Sequence, residues 1–201
     1  MRRWGTAVTA LALAGAGLAA TAGTADAAPT KIVIKTAKAS KAANCAVTWG
    51  SGDKSGKTSA YKPLTGTTAS KHECFDRLVF NVPGSSTAKP VGFHVGYVDK
   101  FYQDGSGDHI PVNGGAILQV FVSAPSYNPE TGKPTYPGKA GKTLPGVNIS
   151  GFKTFKDTRF GASFEGQTQV AVGTRAKLPF RVQQSGDKVI VDVAHSWTAV
   201  R

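Results

Sequence analysis

The chain has 201 residues, with 24 Lys and Arg against 12 Asp and Glu, a formal charge of +12, and 40% hydrophobic residues. This length fits one domain behind an export leader, and the charge sign points to anionic partners. Two cysteines cannot by themselves complete a tetrahedral zinc site, and the longest apolar run falls short of the ~18–20 residues a membrane span needs.

In chain order, Arg2 and Arg3 form a basic head, an Ala/Leu/Gly run follows over 8–20, and Ala25-Asp26-Ala27 satisfies the small-x-small rule. Residues 1–27 are therefore predicted to be a secretory signal peptide cleaved after Ala27. The Arg pair stands at the very start without a twin-arginine context, so general secretion is expected. With no Cys at the cleavage point and no sorting motif near Val200-Arg201, no covalent anchor and no membrane span after cleavage are expected.

The mature chain keeps 22 basic and 11 acidic residues, +11. Residues 28–71 hold eight Lys against Asp53 alone, whereas 72–201 hold fourteen basic residues against ten acids. The basic field thus belongs mainly to the N-terminal part. Residues 28–44, rich in Ala, Lys, Ser and Thr, are predicted to be a flexible basic arm carrying Lys31, Lys35, Lys38 and Lys41, although Lys31-Ile32-Val33-Ile34-Lys35 also has the look of a short strand. Cys45 and Cys74 in an oxidising medium are expected to form a disulfide.

The folded domain is predicted to run over 45–201. Val47 and Trp49 alternate with Thr48, and Gly50–Ser59 interrupts them. Leu78, Phe80 and Val82 share one face of a core strand ended by Pro83-Gly84. Phe93, Val95 and Tyr97 alternate next, and the Asp104-Gly105-Ser106-Gly107-Asp108 turn before Ile110-Pro111-Val112 suggests a hairpin. Residues 116–122 form a further strand. Pro125–Gly146 is an aperiodic Pro/Gly/Lys/Tyr stretch, long enough for a contact loop. Val170 and Val172, then Leu178–Val182, then Val189, Val191 and Val193, give the last strands, with Ser185-Gly186-Asp187 as a turn. Short strands between Gly/Pro clusters, with no sustained helical period, indicate an all-β sandwich or barrel.

Seven short blocks occur in order: Trp49-Gly50-Ser51, Cys74–Phe80, Tyr97-Val98-Asp99, Asp104–Gly107, Gly114–Val120, Phe164–Thr168 and Val189–Val193. With them the chain resembles the secreted AMIN-like domain proteins of actinobacteria over about Cys45 to Trp197. The resemblance implies a single antiparallel β-sandwich, AMIN-like in fold, and a non-catalytic module that contacts peptidoglycan. In AMIN proteins such a module places cell-wall amidases, but no amidase segment is recognisable within these 201 residues.

Catalytic constellations are weak. Gly161-Ala162-Ser163-Phe164-Glu165 is no nucleophile elbow, because it lacks the closing Gly and precedes a strand. His72, His94, His109 and His195 fall in separate segments without metal-ligand spacing. Asp104 and Asp108 flank glycines without the ligand series of a calcium loop. Asp76, Glu165 and Asp192 could meet in space as a hydrolase would need, but Asp76 and Asp192 read as charges held by salt bridges or backbone donors. Neither an RNP-type motif nor a recognition helix supports nucleic-acid binding.

No cofactor, metal or enzyme activity is expected. The leading expectation is a secreted, extracellular or wall-associated protein that binds peptidoglycan or teichoic acid through Lys31, Lys35, Lys38, Lys41, Trp49, Tyr127 and Tyr136. The alternative is an extracellular protein-binding module, an inhibitor or regulator, that uses the Pro125–Gly146 loop.

Overall fold

The computed structural model describes residues 45–197. The predicted leader over 1–27 and basic arm over 28–44, with Lys31, Lys35, Lys38 and Lys41, lie outside the described residues. Nine strands follow one another: β1 (Lys54–Gly56), β2 (Gly66–Lys71), β3 (Phe75–Asn81), β4 (Phe93–Val98), β5 (Ala116–Val122), β6 (Phe155–Phe164), β7 (Gln167–Thr174), β8 (Phe180–Ser185) and β9 (Lys188–Ala194). They pair antiparallel throughout, in a five-stranded sheet ordered β1-β4-β5-β7-β6 and a four-stranded sheet ordered β2-β3-β9-β8. The fold is an all-β sandwich, and among the described residues no helix is long and apolar enough to cross a membrane.

Period-two alternation builds the core. In β3, Asp76, Leu78 and Phe80 point inward, opposite Val193, Val191 and Val189 of β9. From the larger sheet Val95, Leu118, Val120, Val122, Val170 and Val172 close the same cluster, all of them fully buried. A one-residue slip in β3 or β9 would turn these rows outward, so burial fixes the register.

The strands expected from alternation are present, with three differences. Cys45–Gly50 alternates in burial but joins no ladder. The Asp104–Asp108 turn does close a small hairpin, in which Tyr102 bridges His109 and the Ile110 N–H donates to the Phe101 carbonyl, but this hairpin lies within a long β4–β5 connection on the outer face of the larger sheet, where Phe101 and Ile110 bury against Ala171. Both faces of β7 are covered as a result, which its valine alternation alone did not suggest. The third difference is that β8 begins at Phe180, after Pro179, whose carbonyl accepts the Ala194 N–H.

The Pro125–Gly146 stretch is irregular, as expected, but it is closed on itself. Tyr127 bridges Pro134, and Asn128 Oδ1 accepts the Glu130 and Thr131 N–H groups. Gly141 N–H donates to Phe160 O and Phe160 N–H to Lys142 O, so the stretch also covers the free edge of β6.

Candidate functional site

Outward-facing residues of β3, β9 and β8 meet in one row on the smaller sheet, because the register sets Arg77 opposite Asp192 and Asp192 opposite Arg181. Asp192 has no exposed surface, yet it accepts from Arg77 Nε at 2.6 Å and from Arg77 Nη2 at 2.9 Å, a bidentate fork, and from Arg181 Nε at 2.9 Å. The hydrogen bond to Asp192 holds the Arg77 guanidinium above its ordinary value, against a smaller opposing effect of burial. Two permanent cations thus share one anion and leave a surplus of +1. Among the described residues Arg181 hydrogen-bonds through Nε alone, and 37% of its side chain is exposed.

Aromatic rings frame this pair. The Arg181 guanidinium lies 4.3 Å from the Trp49 ring centre and that of Arg77 5.2 Å from Phe75. Trp49 and Phe75 meet edge-on at 5.7 Å, and His72 stacks on Phe75 at 4.4 Å, with its Nε2 3.0 Å from Ser70 Oγ. Each cation–π contact at such half-exposed positions contributes about 0.5–1 kcal/mol and fixes the guanidinium plane. Trp49 arrives on the Cys45–Gly50 segment, which the Cys45–Cys74 disulfide fastens to the start of β3, and the Gly50 carbonyl accepts the Phe180 N–H at 3.1 Å. The expected disulfide is therefore present, and it delivers an aromatic ring to the cationic face.

Asp76 faces the other way, into the sandwich. Its Oδ2 accepts the Thr154 and Phe155 N–H groups at 2.6 and 3.1 Å, and its Oδ1 lies 3.1 Å from His195 Nε2. His195 Nδ1 meets the Glu73 carbonyl at 3.1 Å. Both ring nitrogens lie within hydrogen-bond distance of protein oxygens, so the ring is held in place and the dyad is a fastening between β3, β9 and the start of β6. Glu165 stands on the exposed β6–β7 turn of the other sheet. The three acids considered for hydrolysis thus occupy two faces of one sheet and a turn of the other, and are not brought together.

Among the predicted binding residues, Trp49 lies on the cationic face and Tyr127 is half-buried in its closed loop. Tyr136 is a correction: it is 3% exposed, and its hydroxyl meets Thr67 Oγ1 at 2.8 Å and the Pro145 carbonyl at 3.0 Å. Burial pushes its phenol up to about 12. A ring held in the core offers no stacking face, and the Pro/Gly surroundings that suggested a loop did not reveal that this loop packs inward. Reading residues singly also missed Arg77 and Arg181. Their signal was the strand alternation, which places Arg77 and Asp192 on the faces opposite to Leu78 and Val191.

The profile of the AMIN-like domain matches residues 62–195. The chain belongs to the AMIN-like domain family. Domains of this family are non-catalytic binding modules associated with the cell wall. No curated protein and no solved structure matches the chain. Within this AMIN-like chain the matched span contains Phe75, Arg77, Arg181 and Asp192, whereas Cys45 and Trp49 precede it.

Proposed function

We propose that the protein is a secreted, non-catalytic module of the cell envelope that binds an anionic wall polymer, peptidoglycan or teichoic acid, on the Trp49–Phe75–Arg77–Arg181 face. The observation that carries this reading is the pair of guanidinium groups sharing a single carboxylate beside two aromatic rings. Such a surface gives carboxylates or phosphates a planar donor fork and gives sugar rings an apolar face. The basic residues of 28–44 would add a long-range field that concentrates polyanions without a shaped pocket.

The test is sedimentation of the mature protein with purified walls, with and without teichoic acid, across a salt series. Binding should fall steeply as the Debye length shrinks from ~30 Å at 0.01 M to ~8 Å at 0.15 M. Arg181→Gln should weaken it, and replacing Lys31, Lys35, Lys38 and Lys41 by Gln should reproduce much of the salt effect. Protein that stays in the supernatant at low salt, or any release of sugar or peptide fragments by the wild type, would overturn the reading.

A further inference from the structure

We propose that a cleft on the larger sheet, between the Gln103–Ser106 turn and the β6–β7 hairpin, binds an uncharged hexopyranose unit of a polysaccharide, independently of the cationic face. The cleft has a volume of about 420 Å³ and is lined by Gln103, Asp104, Ser106, Phe160, Ser163 and Phe164 among others. That volume lies within the ~300–1,000 Å³ common for small-molecule sites.

Three features built into the backbone hold it open. The first is a bulge in β6, where the pairing with β7 shifts between Phe160 and Ala162. The skipped residue is Gly161, and a Cβ there would stand 2.3 Å from Gln169 Oε1 and 2.7 Å from the Phe101 ring. Only glycine lets the Gln169 amide occupy this position. The second feature is what that amide does: though only 3% exposed, Gln169 accepts the Asp104 N–H at 2.9 Å and donates to the Tyr102 carbonyl at 2.9 Å. It thereby pins the turn that forms one wall.

The third feature is the opposite wall. Glu165 and Gly166 both have positive φ, 46° and 79°, as a type I′ turn requires, and Glu165 is the only non-glycine residue among those described in that region. Asn or Gly is the favoured residue there, so the turn carries a local cost of the kind that gathers at functional sites. The turn ends β6 with Phe164 on the surface, 45% exposed, and a Cβ on Gly105 would lie 3.5 Å from its ring atoms. The ring is thus supported by the turn and still open to solvent.

The polar groups suit a sugar. The side chains of Gln103 and Asp104 make no hydrogen bond to described residues, and Asp104 is in no ion pair among them. A planar carboxylate and a planar amide are left to receive and donate to equatorial hydroxyls while the ring C–H face packs on Phe164. Among the described residues no Lys or Arg side chain lines the cleft, and Asp104 would repel a polyanion, which separates this site from the Arg77–Arg181 face.

The test is a nuclear magnetic resonance titration of the mature protein with three neutral probes: the N-acetylglucosamine trimer, cellotriose and maltotriose. At least one should saturate, shifting the amides of 103–106, 161–166 and 169, with an affinity unchanged between about 0.05 and about 0.5 M salt. Phe164→Ala should weaken it about tenfold, and Asp104→Asn several-fold, while Arg181→Gln leaves it unchanged. Phe164→Leu, which keeps the bulk and loses the π-face, should resemble Phe164→Ala. If no probe saturates, or Phe164→Ala and Phe164→Leu both bind as the wild type does, the proposal is wrong. Glycan binding lost with Arg181→Gln and not with the Phe164 variants would also overturn it, while leaving the proposed function standing.

Discussion

Tyr136 illustrates how one buried hydroxyl makes stability depend on pH. Its phenol and the Thr67 hydroxyl converge on the Pro145 carbonyl, which can only accept. Ionisation would turn the phenol's oxygen into a second acceptor facing that carbonyl, in surroundings that already penalise charge. The folded value of about 12 stands above the ~10 of an unfolded tyrosine. Stability from this group is therefore complete below about pH 10 and is lost as pH rises toward about 12, because the unfolded chain releases the proton first; the loss is about 2–3 kcal/mol. Tyr97, whose phenol burial also pushes up, adds to the same alkaline loss. Tyr136→Phe should cost about 1 kcal/mol at neutral pH, since Thr67 still reaches Pro145, but should remove its share of the alkaline fall. Urea midpoints of both proteins from about pH 8 to about pH 12 should converge or cross; a constant gap would mean that Tyr136 does not titrate in this range. The sequence made Tyr136 a candidate contact because loop aromatics are often exposed. It gave better guidance at Asp76 and Asp192, where a carboxylate in a valine-rich strand must be paired, but Arg77, the neighbour of Asp76 in sequence, turned out to be the partner of Asp192. Neighbours on a strand point to opposite faces.

Among the elements, alternation made β3, β4, β5, β7 and β9 legible, while β1, β2 and β6 were not. β1 is three residues long, and β2, GTTASK, is an edge strand of small polar residues with little apolar signal. β6 is the longest strand, yet its pairing shifts twice, between Phe155 and Asp157 and between Phe160 and Ala162, and each shift resets the two-residue period. The hairpin that follows contains a position at odds with local preference. A left-handed backbone at Glu165 costs little with Asn and least with Gly, whose freedom would offset part of the gain in the unfolded chain. Glu165→Asn is expected to stabilise the protein by about 0.5–1 kcal/mol, a melting-temperature rise of roughly 1–4 °C at this size. Calorimetry reads it directly, and a lower melting temperature would show that the Glu165 side chain contributes a native contact that outweighs the backbone cost.

For the molecule as a whole, the ends of the domain matter most. β3 pairs with β9 across more than a hundred residues of sequence, and at their shared end the Cys74 carbonyl accepts the His195 N–H. Cys74 is also bonded to Cys45, 29 residues earlier, so the first segment, an inner strand and the last strand are tied at one point. Closing a loop of this length removes unfolded-chain entropy equivalent to about 3–4 kcal/mol. The Cys45→Ser/Cys74→Ser double variant should therefore melt roughly 7–14 °C lower than the wild type. The same bond holds Cys45–Gly50 in place and with it the Trp49 ring under Arg181, so the variant should also bind purified walls more weakly at a temperature where it is fully folded. Comparing it with Trp49→Ala separates the two effects, because Trp49→Ala keeps the cross-link and removes the ring. Equal losses of wall binding in both variants, with the large melting shift confined to the cysteine variant, are the expected pattern. Undiminished wall binding in both would remove Trp49 and its segment from the binding face and leave the guanidinium pair alone, while an unchanged melting temperature would mean that strand pairing, without the cross-link, already confines the first segment.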